Sequence, residues 1–227
     1  MINKKPLRCV VLISGRGSNL AAMIKARDTG IVPLDIARVI SNKPHAAGLG
    51  LAQAAGIPVS CIESRDFPER DSFDLQLLQL IDECSPDLIV LAGFMRILGA
   101  HLVDHLANRA INLHPSLLPK YPGLDTYTKV LEAGDTSYGS SIHFVTKELD
   151  AGTIISQARA PVFSTDTSSS LSARLQPLEH KLLIATLQLF YKHTISCKND
   201  MLLVDENTYK QPFILASDGC LHAPYNH

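Results

Sequence analysis

Asn112, His114 and Asp150 are the residues whose types and spacing suit group-transfer chemistry. Asn112 and His114 stand two apart at the end of Ala110-Ile111-Asn112-Leu113, an apolar run that reads as a strand. The two-residue period of a strand projects both to the same side, and in open α/β sheets ligands gather at the carboxyl ends of strands. An Asn amide can donate to a developing oxyanion, and a His can take or give a proton near neutral pH. The same pair would serve equally well to hold turn backbone in place. Asp150 lies in Leu149-Asp150-Ala151-Gly152, after the run that carries His143. A carboxylate on such a turn raises the pKa of a nearby histidine or orients its tautomer, or else it faces solvent. The 36 positions between His114 and Asp150 do not decide between these. No GxSxG elbow, HExxH or paired-cysteine motif occurs. Without a protein nucleophile, the set suits direct transfer to a nucleophile that a substrate brings.

A second cluster is Ser14-Gly15-Arg16-Gly17-Ser18-Asn19, between an apolar run and a helical pattern. A glycine turn that opens a helix gathers backbone N–H groups at the positive end of the helix dipole, which makes an anion site suited to phosphate. Gly17 permits close backbone approach. The motif is neither GxGxxG, since Leu20 holds the third glycine position, nor a P-loop. Ser41-Asn42-Lys43 stands where a dinucleotide site needs an acidic residue, so a phosphate monoester fits better than NAD. A plain chain turn is the alternative.

The elements that must position these residues alternate. Cys9 to Ile13, Ile36 to Ile40, Pro58 to Ile62, Leu88 to Leu91 and Ala110 to Leu113 read as strands. Ser18 to Arg27, Ala46 to Ala55, Ser72 to Cys84 and Ile97 to Leu106 read as helices between them. This rhythm predicts an α/β fold, a single Rossmann-like domain with a mostly parallel sheet and helices on both faces. The second half is less regular. Tyr127 to Ala133 reads as a short helix, Ser141 to Val145 and Thr153 to Ile155 as strands around an acidic turn, and Ser168 to Tyr191 as a long helix. Beyond Lys192 the pattern fades.

The chain has 227 residues and a net charge of −1. That is long enough to bury a core without staples. A near-neutral balance tells against a general nucleic-acid binder, and 46% apolar residues tell against a disordered chain. Five scattered cysteines suggest neither a disulfide framework nor a zinc ribbon. No run approaches the roughly 20 apolar residues that span a bilayer. The start does not read as a signal peptide, so a cytoplasmic location is expected.

Four ordered blocks resemble the phosphoribosylglycinamide formyltransferases, folate-dependent enzymes of purine synthesis. They are Val11 to Leu20, Leu91 to Leu98, Ile111 to Leu124, and His143-Phe144-Val145 with Glu148-Leu149-Asp150 and Gly152. The similarity runs roughly from Val10 to Tyr191. It implies formyl transfer from 10-formyltetrahydrofolate, as cosubstrate and with no metal, to the amine of glycinamide ribonucleotide. It places catalysis on Asn112, His114 and Asp150, and the ribonucleotide on Gly17, Ser18, Asn19 and Glu179. Folate falls on Arg70, Met95, Arg96, Ile97, Leu98, Thr146, Lys147, Glu148, Leu149 and Asp150. By themselves, Met95, Ile97 and Leu98 would read as core or helix-start residues, Arg70 as a surface charge and Glu179 as a solvated helix position. The chain departs from a bacterial relative at Asp125, where the relative has His, and at Arg16, where it has Asn.

In the implied mechanism the amine attacks the formyl carbon. Asn112 and a protonated His114 stabilise the oxyanion, and Asp150 orients His114 and accepts the amine proton through water. Residues 1–194 form the expected formyltransferase domain, with ribonucleotide held by its first half and folate by its second, and residues 195–227 form a tail. Small-molecule substrates, no nucleic acid, no membrane, and a monomer or weak homodimer are expected. The alternatives are formyltetrahydrofolate hydrolase, which generally carries a preceding regulatory domain for which this sequence leaves no expected room, methionyl-tRNA formyltransferase, and a binding module without turnover.

Overall fold

The computed structural model describes residues 5–67 and 69–224. The chain divides into two compact units, Met1–Asn112 and Leu113–His227. The first is a parallel α/β unit: β1 (Leu7–Ile13), α1 (Ser18–Asp28), β2 (Leu34–Ser41), α2 (Ala47–Ala54), β3 (Val59–Cys61), α3 (Arg70–Asp82), β4 (Leu88–Leu91), α4 (Ala100–His105) and β5 (Ala110–His114). The division falls inside β5. Strand order is β5-β4-β1-β2-β3, and every pairing is parallel. Cys9 to Ile13 are wholly buried, as are Leu88 to Leu91 to within a few per cent. A strand covered by helices on both faces needs this unbroken apolar character, because both sets of side chains leave water. Leu20, Met23 and Ala26 bury one stripe of α1, and Phe73, Leu77 and Ile81 one stripe of α3. Each large side chain so buried contributes about 1.5–3 kcal/mol.

The second unit contains α5 (Thr126–Glu132), β6 (Ser137–Phe144), β7 (Ile154–Pro161), α6 (Ser168–Lys192), β8 (Ile195–Lys198), β9 (Met201–Val204), β10 (Asn207–Tyr209), β11 (Phe213–Leu215) and β12 (Leu221–His222). β6 and β7 pair antiparallel, β11 lies parallel to β7, and β12 pairs antiparallel with β11. β8, β9 and β10 make a separate antiparallel sheet. Helix α6 starts at Thr167, whose side chain and that of Ser170 cap each other's backbone N–H. Leu171 and Leu175 then pack on Tyr138, Val130 and Ala160, and Tyr138 donates to the Leu171 carbonyl at 2.8 Å.

The expected elements are present with shifted ends; the largest differences are β7, which runs on to Pro161 and not only to Ile155, β6, which starts four residues early at Ser137, and α4. The pattern from Ile97 becomes helix only at Ala100, because side chains from elsewhere in the first unit hold the segment before it (below). Beyond Lys192, where the pattern fades, the chain forms five short strands of two to four residues. None of the described helices is long and apolar enough to cross a membrane.

Buried hydroxyls fix the backbone that leaves β5. Ser140 donates to the His114 carbonyl at 2.8 Å and Ser141 to the Ser116 carbonyl at 2.7 Å. Ser141 Oγ also accepts from the Leu118 N–H and from Gln157 Nε2. Ser141→Ala leaves these groups unsatisfied in the interior, at a cost of about 1–3 kcal/mol. A urea midpoint lowered by that amount at unchanged m is the expected result; an unchanged midpoint would show that the network is dispensable.

Candidate active site

The carboxyl ends of β1, β4 and β5 lie along one edge of the first unit's parallel sheet. After β1, Gly17 takes φ 78° and forms the N-cap of α1, with no side-chain cap and no acidic residue in the first turn. A Cβ on Gly17 would come 2.7 Å from the Gly48 Cα, so only glycine lets the loop lie against α2. The uncapped helix start is suited to an anion. Ser18 and Asn19 are partly exposed there, and the buried Asn19 amide oxygen has no partner among the described residues. A pocket of about 530 Å³ opens beside the loop and is lined in part by Arg16, Lys43, His45 and Arg65. Arg16 and Lys43 add positive charge there, while Arg65 is paired at 2.7 Å with Glu63, which also lines the pocket; sequence reasoning singled out only the loop.

After β4 the segment alternates. Phe94 and Leu98 are buried, whereas Met95 is 65% and Ile97 51% exposed. Two bulky apolar side chains thus face outward from this edge, while Leu98 offers a ligand only its main chain. Arg96 lies over the Phe73 ring at 3.9 Å, and Arg70, at the start of α3, is exposed. Asn112 closes the unit, half-buried at the end of β5.

His114 ends the same strand and is 5% exposed. Its Nε2 lies 2.9 Å from the Tyr121 carbonyl and its Nδ1 3.3 Å from Asp150 Oδ2. A carbonyl can only accept, which assigns a hydrogen to Nε2. Asp150 sits on the turn between β6 and β7 with φ 52°, a left-handed conformation that Asp tolerates better than most residues. Gly152 follows, where a Cβ would collide with the Phe144 carbonyl. The Gly123 N–H donates to Asp150 Oδ2 at 2.8 Å, and His143 Nε2 stands 3.6 Å from Oδ1. His143 is buried, with Nδ1 against the Phe144 carbonyl at 2.8 Å.

The electrostatics set the resting state of the ring. Burial is the largest influence on His114 and pulls its pKa below 6.5. The Tyr121 carbonyl and the Asp150 charge push it up, and His143 and Lys129 pull it down. The resting ring therefore favours the neutral form, whereas the implied mechanism invokes the protonated ring only once the oxyanion has formed; Nδ1, facing Asp150, is the basic nitrogen. Burial alone would raise the Asp150 carboxyl; the bonds from His143 and the Gly123 amide, with the nearby ring charges, hold it below the usual range. A carboxylate beside a neutral imidazole is a proton-accepting pair.

The turn residues Thr146, Lys147, Glu148 and Leu149 are exposed, and Leu149 presents an apolar side chain. Asp125 is exposed at the N-cap of α5 with φ 59°. Glu179 on α6 is half-buried where its sequence position allows a solvated reading, and desolvation pushes its carboxyl up to about 7. Unfolded, it ionises near 4.5, so the folded chain holds an extra proton between those values. Stability from this group is present below pH 4.5, is lost as pH rises toward 7, and levels off above. Glu179→Gln removes the slope. Its stability advantage over the parent should grow by up to about 3 kcal/mol from pH 4.5 to above 7. Urea curves that keep a constant separation across that range would contradict this assignment.

Sequence reasoning named Asn112, His114 and Asp150, and the fold brings His114 and Asp150 into contact. It left out His143 as a member of the cluster and missed the Tyr121 carbonyl. His143 carried a faint signal, since it lies on the strand that leads into the Asp150 turn; the carbonyl carried none.

Residues 7–187 match the family model described as formyl transferase. The chain is 48% identical over 176 residues to the phosphoribosylglycinamide formyltransferase of Escherichia coli K12, covering 78% of this chain and 83% of that protein. It is 42% identical over 192 residues to the human trifunctional purine biosynthetic protein adenosine-3, covering 85% of this chain but 19% of that much longer protein. Among solved structures, the Coxiella burnetii phosphoribosylglycinamide formyltransferase superposes with a TM-score of 0.86 at 45% identity, over 90% of this chain and 96% of that one. A Pseudomonas putida formyltetrahydrofolate deformylase, at 24% identity and a TM-score of 0.80, shares the fold.

Proposed function

The chain belongs to the formyl transferase family, and from that premise we propose that it transfers the formyl group of 10-formyltetrahydrofolate to the amine of glycinamide ribonucleotide. The contact between His114 Nδ1 and Asp150 carries this reading, because an amine that attacks a formyl carbon must shed a proton. The amine of the ribonucleotide forms the new C–N bond and the formyl oxygen gathers charge. The Asn112 amide donates to that oxygen. The amine proton passes to the His114–Asp150 pair at Nδ1, where the carboxylate stabilises the imidazolium. Collapse of the intermediate breaks the bond to N10 of the folate, and the same proton returns to that nitrogen.

The uncapped loop at Gly17, Ser18 and Asn19 supports phosphate binding, and the half-buried Glu179, whose carboxyl at about 7 is partly protonated at neutral pH, supports a hydrogen-bonding role toward the ribonucleotide. Outward Met95 and Ile97 suit the flat pterin, the Arg70 and Arg96 cations suit the folate carboxylates, and the Leu98 main chain and the Thr146 to Asp150 turn complete the folate set. The inferred location is the cytoplasm, where cysteines such as these five stay reduced. We place the protein there as a monomer or weak homodimer that handles small molecules alone.

Because His114 must be neutral to accept the proton, kcat/KM should fall on the acid side with an apparent pKa below 6.5. An acid limb above 6.5 would mean that the ring is not shifted down. The function itself is tested by following folate release from 10-formyltetrahydrofolate with and without glycinamide ribonucleotide. Release that requires the ribonucleotide is expected. Release that ignores it would favour hydrolysis by water, and no release in either arm would favour a binding module.

A further inference from the structure

Residues 93–99, between β4 and α4, adopt no regular structure, yet two side chains of the same unit pin them. Ser14 Oγ accepts the Met95 N–H at 2.7 Å and donates to Asn42 Oδ1 at 2.5 Å. Asp74 Oδ2 accepts the Gly99 N–H at 2.7 Å, which sets the start of α4. Asp74 lies one turn after Arg70 on α3 and is 6% exposed, and its Oδ1 has no hydrogen-bond partner among the described residues. A helix cap alone needs one oxygen; a second, buried and unpartnered, is costly unless nearby charge offsets it. Burial raises the Asp74 carboxyl pKa; the Gly99 bond and the Arg96 and Arg70 charges oppose that rise, and the Asp71 charge adds to it. Arg96 stacks on Phe73, the residue before Asp74. Gly99 leaves no spare room, since a Cβ there would collide with Asp74 Oδ2.

We propose that Asp74 is a positioning residue for the folate cosubstrate: it seats the Gly99 amide, faces Arg70 and Arg96, and so fixes the segment that presents Met95, Arg96 and Ile97. The inference rests on the proposed assignment of those residues to 10-formyltetrahydrofolate. Asp74 touches no reacting atom, and its effect reaches the ligand only through the segment it holds. Asp74→Ala removes both the acceptor and the charge. Asp74→Asn keeps an acceptor for Gly99 but removes the charge. Gly99→Ala leaves the backbone unstrained, at φ −75°, and acts by displacing the Asp74 carboxylate.

The test is steady-state kinetics of these three variants and Arg96→Ala, with each substrate varied in turn and melting temperatures recorded. Asp74→Ala and Gly99→Ala should raise KM for 10-formyltetrahydrofolate roughly tenfold, the scale of one lost charge-assisted bond. KM for the ribonucleotide should stay within about twofold, and Asp74→Asn should fall between parent and Ala. If Asp74→Ala does not fold, Asp74→Asn and Gly99→Ala decide alone. Folate KM unchanged in the folded variants, or both KM values rising together, while Arg96→Ala raises folate KM, overturns the role of Asp74 and leaves the folate assignment standing. If Arg96→Ala also leaves folate KM unchanged, the folate assignment fails and the inference falls with it.

Discussion

Asp150→Asn should lower turnover about 10²–10⁴-fold, the usual contribution of a positioned proton acceptor, while KM for the ribonucleotide stays near the parent value. Asn preserves the shape of the side chain and tolerates the left-handed backbone at φ 52°. The substitution therefore tests charge and not fold. It removes the anion that faces His114 Nδ1 at 3.3 Å. It also forces an amide NH2 toward either the His143 ring or the Gly123 N–H, both of which meet carboxylate oxygens in the parent. An imidazolium formed at His114 would then have no counter-charge in a buried setting. Stopped-flow or steady-state folate release measures the loss. Turnover within a few-fold of the parent would remove Asp150 from the proton path.

Asn112→Ala should cost about 10²–10³ in kcat, the scale of one lost oxyanion donor. Here the loss is specific to the transition state, because the formyl oxygen carries full charge only there; KM for both substrates should move little. Nε2 of His114 is occupied by the Tyr121 carbonyl, which leaves the Asn112 amide as the proposed donor on this strand. Asn112→Asp makes a sharper comparison, since a carboxylate repels the developing charge and should fall below the Ala variant. An Ala variant with parental kcat would assign oxyanion stabilisation to another group.

Local pattern was enough for the parallel half of the fold. The unbroken apolar runs of β1 and β4, too short for most helices and alternating with helical stripes such as the i, i+4 stripe of α3, registered locally, and the helix read from Ser168 begins there in α6. What local pattern could not show was set by distant partners. Ile97 to Gly99 has helical character by type, but Asp74, some 25 positions away, holds the Gly99 N–H and delays the helix. Ser14, 81 positions from Met95, holds the other end. Asp150 could have been a solvated turn; the turn that joins β6 to β7, and the Gly123 amide, put it against His114. Glu179 lies on the buried stripe of α6, four residues after Leu175 and three before Leu182; its charged type, not its period, suggested solvent, and packing around α6 half-covers it. The strands after Lys192 are too short for a period of two to register. The catalytic residue types were thus legible, whereas the protonation state of His114 was not, because burial outweighs the charge beside it.

In the proposed reaction the formyl carbon moves to an amine and not to water. A single-turnover reaction with 10-formyltetrahydrofolate labelled with ¹³C in the formyl group, in the presence of glycinamide ribonucleotide, tests it by NMR. The label should appear as a formamide on the ribonucleotide, with matching release of tetrahydrofolate. Label recovered as formate, with the ribonucleotide unchanged, would contradict it.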